Sequence, residues 1–192
     1  MHRPDIQRHP EAELITASEV EIAAVSSLQS PGQVLVVASI PDAPAIVKGV
    51  PWYIALDGIQ DPGNMGTIIR IADWFGITDL VCSPGCVDVY NPKVVQSAMG
   101  GHLRVRIHHG ELTSLLPSLN LPLYAAVLGG TDVYEVGRPA SGVLVIGNES
   151  RGISPEVIDL ATHRVTIPRK GGAESLNAGV SAGILCALMV PR

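Results

Sequence analysis

The chain has 192 residues, a net charge of -5 and 46% hydrophobic residues. This excludes a disordered chain and gives no global basic excess of the kind that marks many nucleic-acid binders. Aromatic residues make up only 4%, so a core must come from Val, Ile, Leu and Ala. That composition favours buried parallel strands with helices on both faces. The three cysteines, Cys82, Cys86 and Cys186, give no disulfide framework and too few ligands for a zinc site. They are expected as thiols in a reducing, cytoplasmic setting. The N-terminus is polar, and the most apolar stretch, Ala178 to Val190, is shorter than the roughly 18–20 residues of a membrane helix. No membrane association and no metal site are expected.

In chain order, residues 1–49 read as an extension. Glu11 to Leu28 predicts a helix with a short extended piece, and Gln33 to Ile40 a strand broken by Pro41-Asp42-Ala43-Pro44. The main body, residues 50–192, opens with a strand at Trp52–Leu56. A helix follows at Met65–Phe75, where Met65, Ile68, Ile69, Ala72 and Phe75 recur at helical spacing. Asp79–Cys82 predicts a strand. Asn91-Pro92 is a cap followed by a first-turn proline. Leu103–Ile107 predicts a strand, Glu111–Leu119 a helix, and Leu123–Leu128 and Val143–Ile146 two more strands. Ser154-Pro155-Glu156 repeats the cap-then-proline start. Val165–Ile167 closes the strands and Leu176–Val190 the helices. Strands alternating with helices imply a parallel sheet with crossover helices.

Three Gly- and Asn-rich segments follow apolar runs: Asp57 through Gly66 and on to Arg70, Gly147 through Gly152, and Ile167-Pro168 through Asn177. In an open α/β sheet the carboxyl ends of the strands are where ligands bind. Three loops there carrying Asn, Arg, Glu and Ser look like one assembled site. Each has a plainer reading as a turn or, for Ser175 and Asn177, a helix cap. The chain contains no GxGxxG fingerprint and no Walker-type lysine loop, so dinucleotide and triphosphate sites lose support.

These segments together resemble the SpoU (TrmH-like) RNA ribose methyltransferases of the SPOUT superfamily. The resemblance covers about residues 50–192. It rests on Asp57…Asp61-Pro62-Gly63-Asn64-Met65-Gly66…Arg70, Ile146-Gly147-Asn148-Glu149…Gly152 and Ile167-Pro168…Ser175-Leu176-Asn177…Ala182. Asn91 to Val95 and Ser97 to Gly101 add a fourth segment in the family's order.

The resemblance implies a parallel sheet whose C-terminal part forms a trefoil knot, S-adenosylmethionine as methyl donor, and a homodimer. It implies methyl transfer to a ribose 2′-OH of RNA, with rRNA favoured and tRNA open. By carry-over, Arg70, Asn64, Glu149, Ser175 and Asn177 form the catalytic set. Leu128, Gly129, Gly147, Asn148, Ile167 and Leu176 would hold the donor. Arginine stays protonated, which leaves two roles for Arg70: holding a phosphate and stabilising the alkoxide, or accepting the proton through a phosphate-coupled arrangement.

RNA affinity has to come from local charge. Arg151, Arg169 and Lys170 are the first candidates. Lys93, Arg104, Arg106 and Arg138 come next, with His102, His108 and His109. The end of residues 1–49 resembles the last part of an RNA-binding domain found in rRNA-modifying relatives. A truncated RNA-binding domain leaves an alternative function: a knotted RNA-binding protein without catalytic competence.

Overall fold

The computed structural model describes residues 12–26, 28, 30–42 and 45–191. Two compact units divide the chain, Met1–Ile40 and Pro41–Arg192. In the first, the helix α1, Glu19–Val25, starts at a capping box: Ser18 accepts from the Glu21 amide while the Glu21 carboxylate accepts from the Ser18 backbone. Glu11, at the head of the longer helix expected here, lies outside the described residues, as do Ala43 and Pro44. Gln33–Ile40 pairs with no other strand among the described residues and is not a strand. A run of apolar residues supplies β propensity, but no neighbouring backbone supplies the ladder.

The second unit contains β1 (Trp52–Asp57), α2 (Pro62–Trp74), β2 (Asp79–Cys82), α3 (Pro92–Ala98), β3 (Arg106–His109), α4 (Leu112–Leu119), β4 (Leu123–Asp132), α5 (Val133–Val136), β5 (Gly142–Gly147), α6 (Pro155–Ile158), β6 (His163–Thr166) and α7 (Ala178–Met189). The six strands form one sheet in the order β3-β2-β1-β5-β4-β6, and every pairing is parallel. Strand residues alternate between two cores. Ile54, Leu56, Leu80, Leu144 and Ile146 pack with α2, α3 and α7. Tyr53, Ala55, Val81, Val143 and Val145 pack with α4 and α6. Both faces are covered, as the apolar strands require. Leu144 is fully buried on the central strand β5, and truncating such a side chain to Ala costs about 2–5 kcal/mol.

Element boundaries shift for local reasons. The strand expected at Leu103–Ile107 begins only at Arg106, because Gly101–Leu103 winds into a 3-10 turn behind the left-handed Met99 and Gly100. The last strand lies at His163–Thr166 instead of Val165–Ile167. β4 runs past Leu128 to Asp132, with a bulge: Val165 of β6 faces both Ala126 and Thr131. Residues 127–130 leave the ladder there. Gly130 is needed at this point because a Cβ would lie 2.6 Å from the Arg164 backbone.

Because the sheet is parallel, the loops after β1, β4, β5 and β6 all leave from one edge. From Thr166 the chain returns across the carboxyl ends of β4 and β5 to Asn177, whose side chain meets Asn64 beside the end of β1. No helix among the described residues is long and apolar enough to cross a membrane.

Candidate active site

α2 begins at Asp61, whose carboxylate accepts from the Asn64 amide at 2.7 Å, with Pro62 in the first turn. This N-cap stabilises the helix start by about 1 kcal/mol and sets Asn64 in the first turn, almost fully buried. α7 is capped in the same way by Asn177, whose Oδ1 accepts from the Val180 amide at 3.2 Å. Capping uses only the oxygen of Asn177. Its Nδ2 donates to Asn64 Oδ1 at 2.7 Å. Asn64 Nδ2 in turn donates to Glu149 Oε1 at 2.7 Å. The three loops singled out in the sequence therefore meet through one chain of hydrogen bonds, Asn177 to Asn64 to Glu149.

The loop carrying Glu149 is held by its neighbours. Asn148 accepts at Oδ1 from the Ser150 and Arg151 amides, both at 3.0 Å, and donates from Nδ2 to the Gly58 carbonyl at 2.7 Å. Its backbone pairs in both directions with Gly152. A Cβ on Gly147 would lie 2.3 Å from the backbone of Gly152 and Ile153, so this tight turn admits only glycine there. The side chain of Asn148, a candidate donor-binding residue, is occupied with protein partners and joins the loop after β5 to the loop after β1.

Sequence reasoning missed two supports. Asp57 Oδ2 accepts from both the amide and the hydroxyl of Ser154, each at 2.7 Å. Ser154 has the sequence pattern of a helix cap, yet its side chain makes no capping bond, because the hydroxyl is drawn to the carboxylate. Ser83 Oγ accepts from the Gly58 amide at 2.9 Å. The available signal was an Asp at a strand end, next to a Gly-rich loop.

Beside this arc lies a cleft of about 860 Å³, walled by the ends of β4, β5 and β6, the returning segment and α7. Leu128, Gly147, Asn148, Ile167 and Leu176 line it, as do Glu149, Ser175, Arg151, Arg169 and Lys170. Gly129, at the outward tip of the β4 bulge with φ +79°, does not line it. The volume suits a nucleoside-sized ligand. Leu128 is 76% exposed and Leu176 49% exposed, which leaves apolar surface for a planar base. Strand ends and turns offer backbone groups to its polar edge. The residues present therefore fit the adenosyl part of S-adenosylmethionine.

Arg70 is not drawn into this arrangement. It is exposed, its side chain makes no hydrogen bond or ion pair with the described residues, and it does not line the cleft. Six residues along a helix amount to roughly 240° of rotation from Asn64, so Arg70 faces elsewhere on α2. The basic candidates divide sharply. Arg104 is bound to Asp73 through three contacts of 2.8–3.0 Å, Arg106 to Asp79, and Arg138 to carbonyls at the end of α7. Arg151 and Lys170 are exposed at the cleft, and among the described residues the Arg169 side chain reaches only the Ala173 carbonyl, at 3.0 Å.

Comparison with known proteins gives a consistent result. The profile described as the SpoU rRNA Methylase family matches residues 51–187. A 23S rRNA (guanosine(2553)-2'-O)-methyltransferase, RlmP, of Bacillus subtilis is 32% identical over 88% of this chain and 68% of its own. A solved structure from Porphyromonas gingivalis, assigned to the TrmH family, superposes with a TM-score of 0.75 at 37% identity, over 86% of this chain and 69% of that one. An AdoMet-bound rRNA methyltransferase from Sinorhizobium meliloti superposes at 0.68 with 28% identity, over 73% of this chain and 56% of its own. The chain spans from about half to about two thirds of the length of the curated relatives it matches.

Proposed function

The chain belongs to the SpoU rRNA methylase family, and on that premise we propose that it methylates the ribose 2′-OH of RNA, with S-adenosylmethionine as donor and rRNA as the favoured substrate. The observation that carries this reading is the arc Asn177–Asn64–Glu149, built from three separate loops at the rim of a nucleoside-sized cleft.

When bound, S-adenosylmethionine supplies a methyl carbon already activated by its sulfonium. The protein's task is to align a hydroxyl with it and to manage the hydroxyl proton. Backbone groups of Gly147 and Ile167, with the side chains of Leu128 and Leu176, hold the adenosyl part. Asn64 and Asn177 fix Glu149 through Oε1, and the second carboxylate oxygen makes no hydrogen bond with the described residues. That oxygen is free to orient the ribose hydroxyl and accept its proton. Ser175, on the cleft wall, completes the polar lining.

Arg70 acts as a fixed positive charge, since its guanidinium does not give up a proton. With no carboxylate partner among the described residues, it is available to a phosphate of the bound RNA. The RNA itself bridges Arg70 and the arc. Arg151, Arg169 and Lys170 supply backbone contacts at the cleft mouth. The return of residues 167–177 over the ends of β4 and β5 supports the trefoil knot. A homodimer, a cytoplasmic setting and an RNA-binding role for residues 1–49 complete the proposal.

The test is transfer of labelled methyl from S-adenosylmethionine to RNA lacking its own modifications, followed by nuclease mapping. A 2′-O-methyl nucleotide is the expected product. Donor binding without transfer to any RNA would support the knotted RNA-binding alternative instead.

A further inference from the structure

Asp57 ends β1 and pairs in register with Gly147, the last residue of β5. Its Oδ2 alone takes both the amide and the hydroxyl of Ser154, each at 2.7 Å. The next residue holds the other end of the same loop: the Gly58 carbonyl accepts from Asn148 Nδ2 at 2.7 Å. The loop after β5 is thus pinned at Asn148 and at Ser154 to two consecutive residues of the loop after β1. Between the pins, Asn148 and Gly152 exchange backbone bonds of 2.9 and 3.0 Å, and Asn148 Oδ1 holds the Ser150 and Arg151 amides. Glu149 lies inside this clamp.

The same short segment sets the partner of Glu149. Asp61 caps α2 and accepts from the Asn64 amide. Residues 57–61 therefore place both ends of the bond from Asn64 to Glu149. The Ser154 hydroxyl is withheld from helix capping in the process. α6 starts at Pro155 with no side-chain cap, although serine is among the best residues for one. A local preference is given up here for a contact 97 residues away, which is the mark of a functional constraint.

We propose that Asp57 is a positioning residue for Glu149, an inference that rests on the methyl-transfer reading. Asp57 does not line the cleft, so it acts through the loop. Its bonds to Ser154 hold the loop after β5 against the loop after β1. That keeps Glu149 Oε1 on Asn64 and aims the second carboxylate oxygen in one direction. Without the Ser154 pin the loop turns on the Asn148 bond. Gly147 keeps its place because it is paired in register with the backbone of β1, so the donor side of the cleft persists. A misplacement of about 1 Å at a reacting group costs about a hundredfold in rate.

The test compares Asp57→Ala, Asp57→Asn and Val157→Ala in the full chain. Asparagine can set its oxygen where Oδ2 lies and keep both Ser154 bonds, since the other Asp57 oxygen bonds none of the described residues. Val157, buried in α6 and outside the cleft wall, controls for a loosened helix. The first readout is the nuclear magnetic resonance position of the Asn64 side-chain amide, assigned by its loss in Asn64→Ala. It needs neither donor nor RNA. Asp57→Ala should move it to the position of a solvent-exposed amide, and the other two variants should leave it in place. The second readout is kinetic. Asp57→Ala should lower kcat about tenfold or more, with KM for donor and RNA within about threefold of wild type. Asp57→Asn should recover most of the rate. Combined with Glu149→Gln, Asp57→Ala should cost less than about a further twofold, because both changes act on one carboxylate. An Asn64 amide unmoved by Asp57→Ala, an equal fold-loss with and without Glu149→Gln, or the same kcat loss in Val157→Ala would overturn the proposal. Absence of methyl transfer by the wild-type chain counts against the methyl-transfer reading alone, because the Asn64 amide decides the placement of Glu149 by itself.

Discussion

Asn64 donates its side-chain amide to Glu149 at 2.7 Å, joining residues 85 apart in sequence. Asn64 is almost fully buried while Glu149 is exposed, so the contact reaches from the base of α2 to the cleft wall. The oxygen of the same amide accepts from Asn177 at 2.7 Å. Each of the three groups thereby limits the orientation of the next.

Asn64→Asp should be worse than Asn64→Ala. The alanine variant leaves Asn177 Nδ2 and Glu149 without their partner, a loss of about 1–3 kcal/mol. The aspartate variant keeps an acceptor for Asn177 but sets a carboxylate against Glu149. Thermal melts and methyl-transfer rates on the two variants check the order, and transfer should fall by about 100-fold or more in both.

Arg70→Ala should behave in the opposite way. Arg70 is exposed and without a partner among the described residues, so stability should change by less than about 0.5 kcal/mol. Methyl transfer should fall about 100-fold or more, with donor affinity by calorimetry unchanged. Equal loss of donor binding and transfer would remove Arg70 from the catalytic set.

Gly147→Ala should disrupt the cleft without touching a charged group. The added Cβ meets Gly152 and Ile153 backbone at 2.3 Å, and backbone has little room to yield. A destabilisation of about 1–3 kcal/mol is expected, with donor affinity falling more than RNA affinity.

Lys170→Glu should weaken RNA binding for all sequences alike. The slope of log affinity against log salt should shrink by about one, with donor affinity held.

Far from the site, Asp79 is fully buried and takes two contacts from Arg106, at 2.6 and 2.9 Å, one from Thr78 at 2.7 Å and one from His108 at 2.8 Å. Burial pushes its pKa up, but the hydrogen bonds from Arg106, Thr78 and His108, with the Arg106 charge, outweigh it and hold the carboxyl below its ordinary 3.8. A depressed carboxylate contributes stability that is fully present above the unfolded pKa and is lost as pH falls through the folded one. Asp79→Asn should cost about 3 kcal/mol at neutral pH, the lower end for a broken buried pair because Arg106 is partly exposed. The difference from wild type should shrink only below about pH 4. Chemical denaturation across that range checks it.

What the sequence determined by itself is local. Apolar strand runs set a sheet buried on both faces. The pair Asn91-Pro92 sets a helix start, confirmed by its capping bond, whereas the helix expected from Met65 begins three residues earlier, at Pro62. The Gly/Asn segments lay at strand ends as their order suggested. These signals are legible because backbone hydrogen bonding and side-chain period act over a few residues.

Contacts across the sheet are another matter. Ser154 reads locally as a cap and is taken by Asp57, 97 residues away. Arg104 and Arg106 read as RNA-facing charge and are paired with Asp73 and Asp79. Arg70 follows Asn64 by one and a half turns and faces away from it, while Asn177, 113 residues distant, lies against it. Which groups meet depends on the strand order β3-β2-β1-β5-β4-β6. That order places β5 beside β1 and carries the returning segment back to α2. No local pattern encodes it, because the free energy of those contacts exists only once the whole sheet has formed.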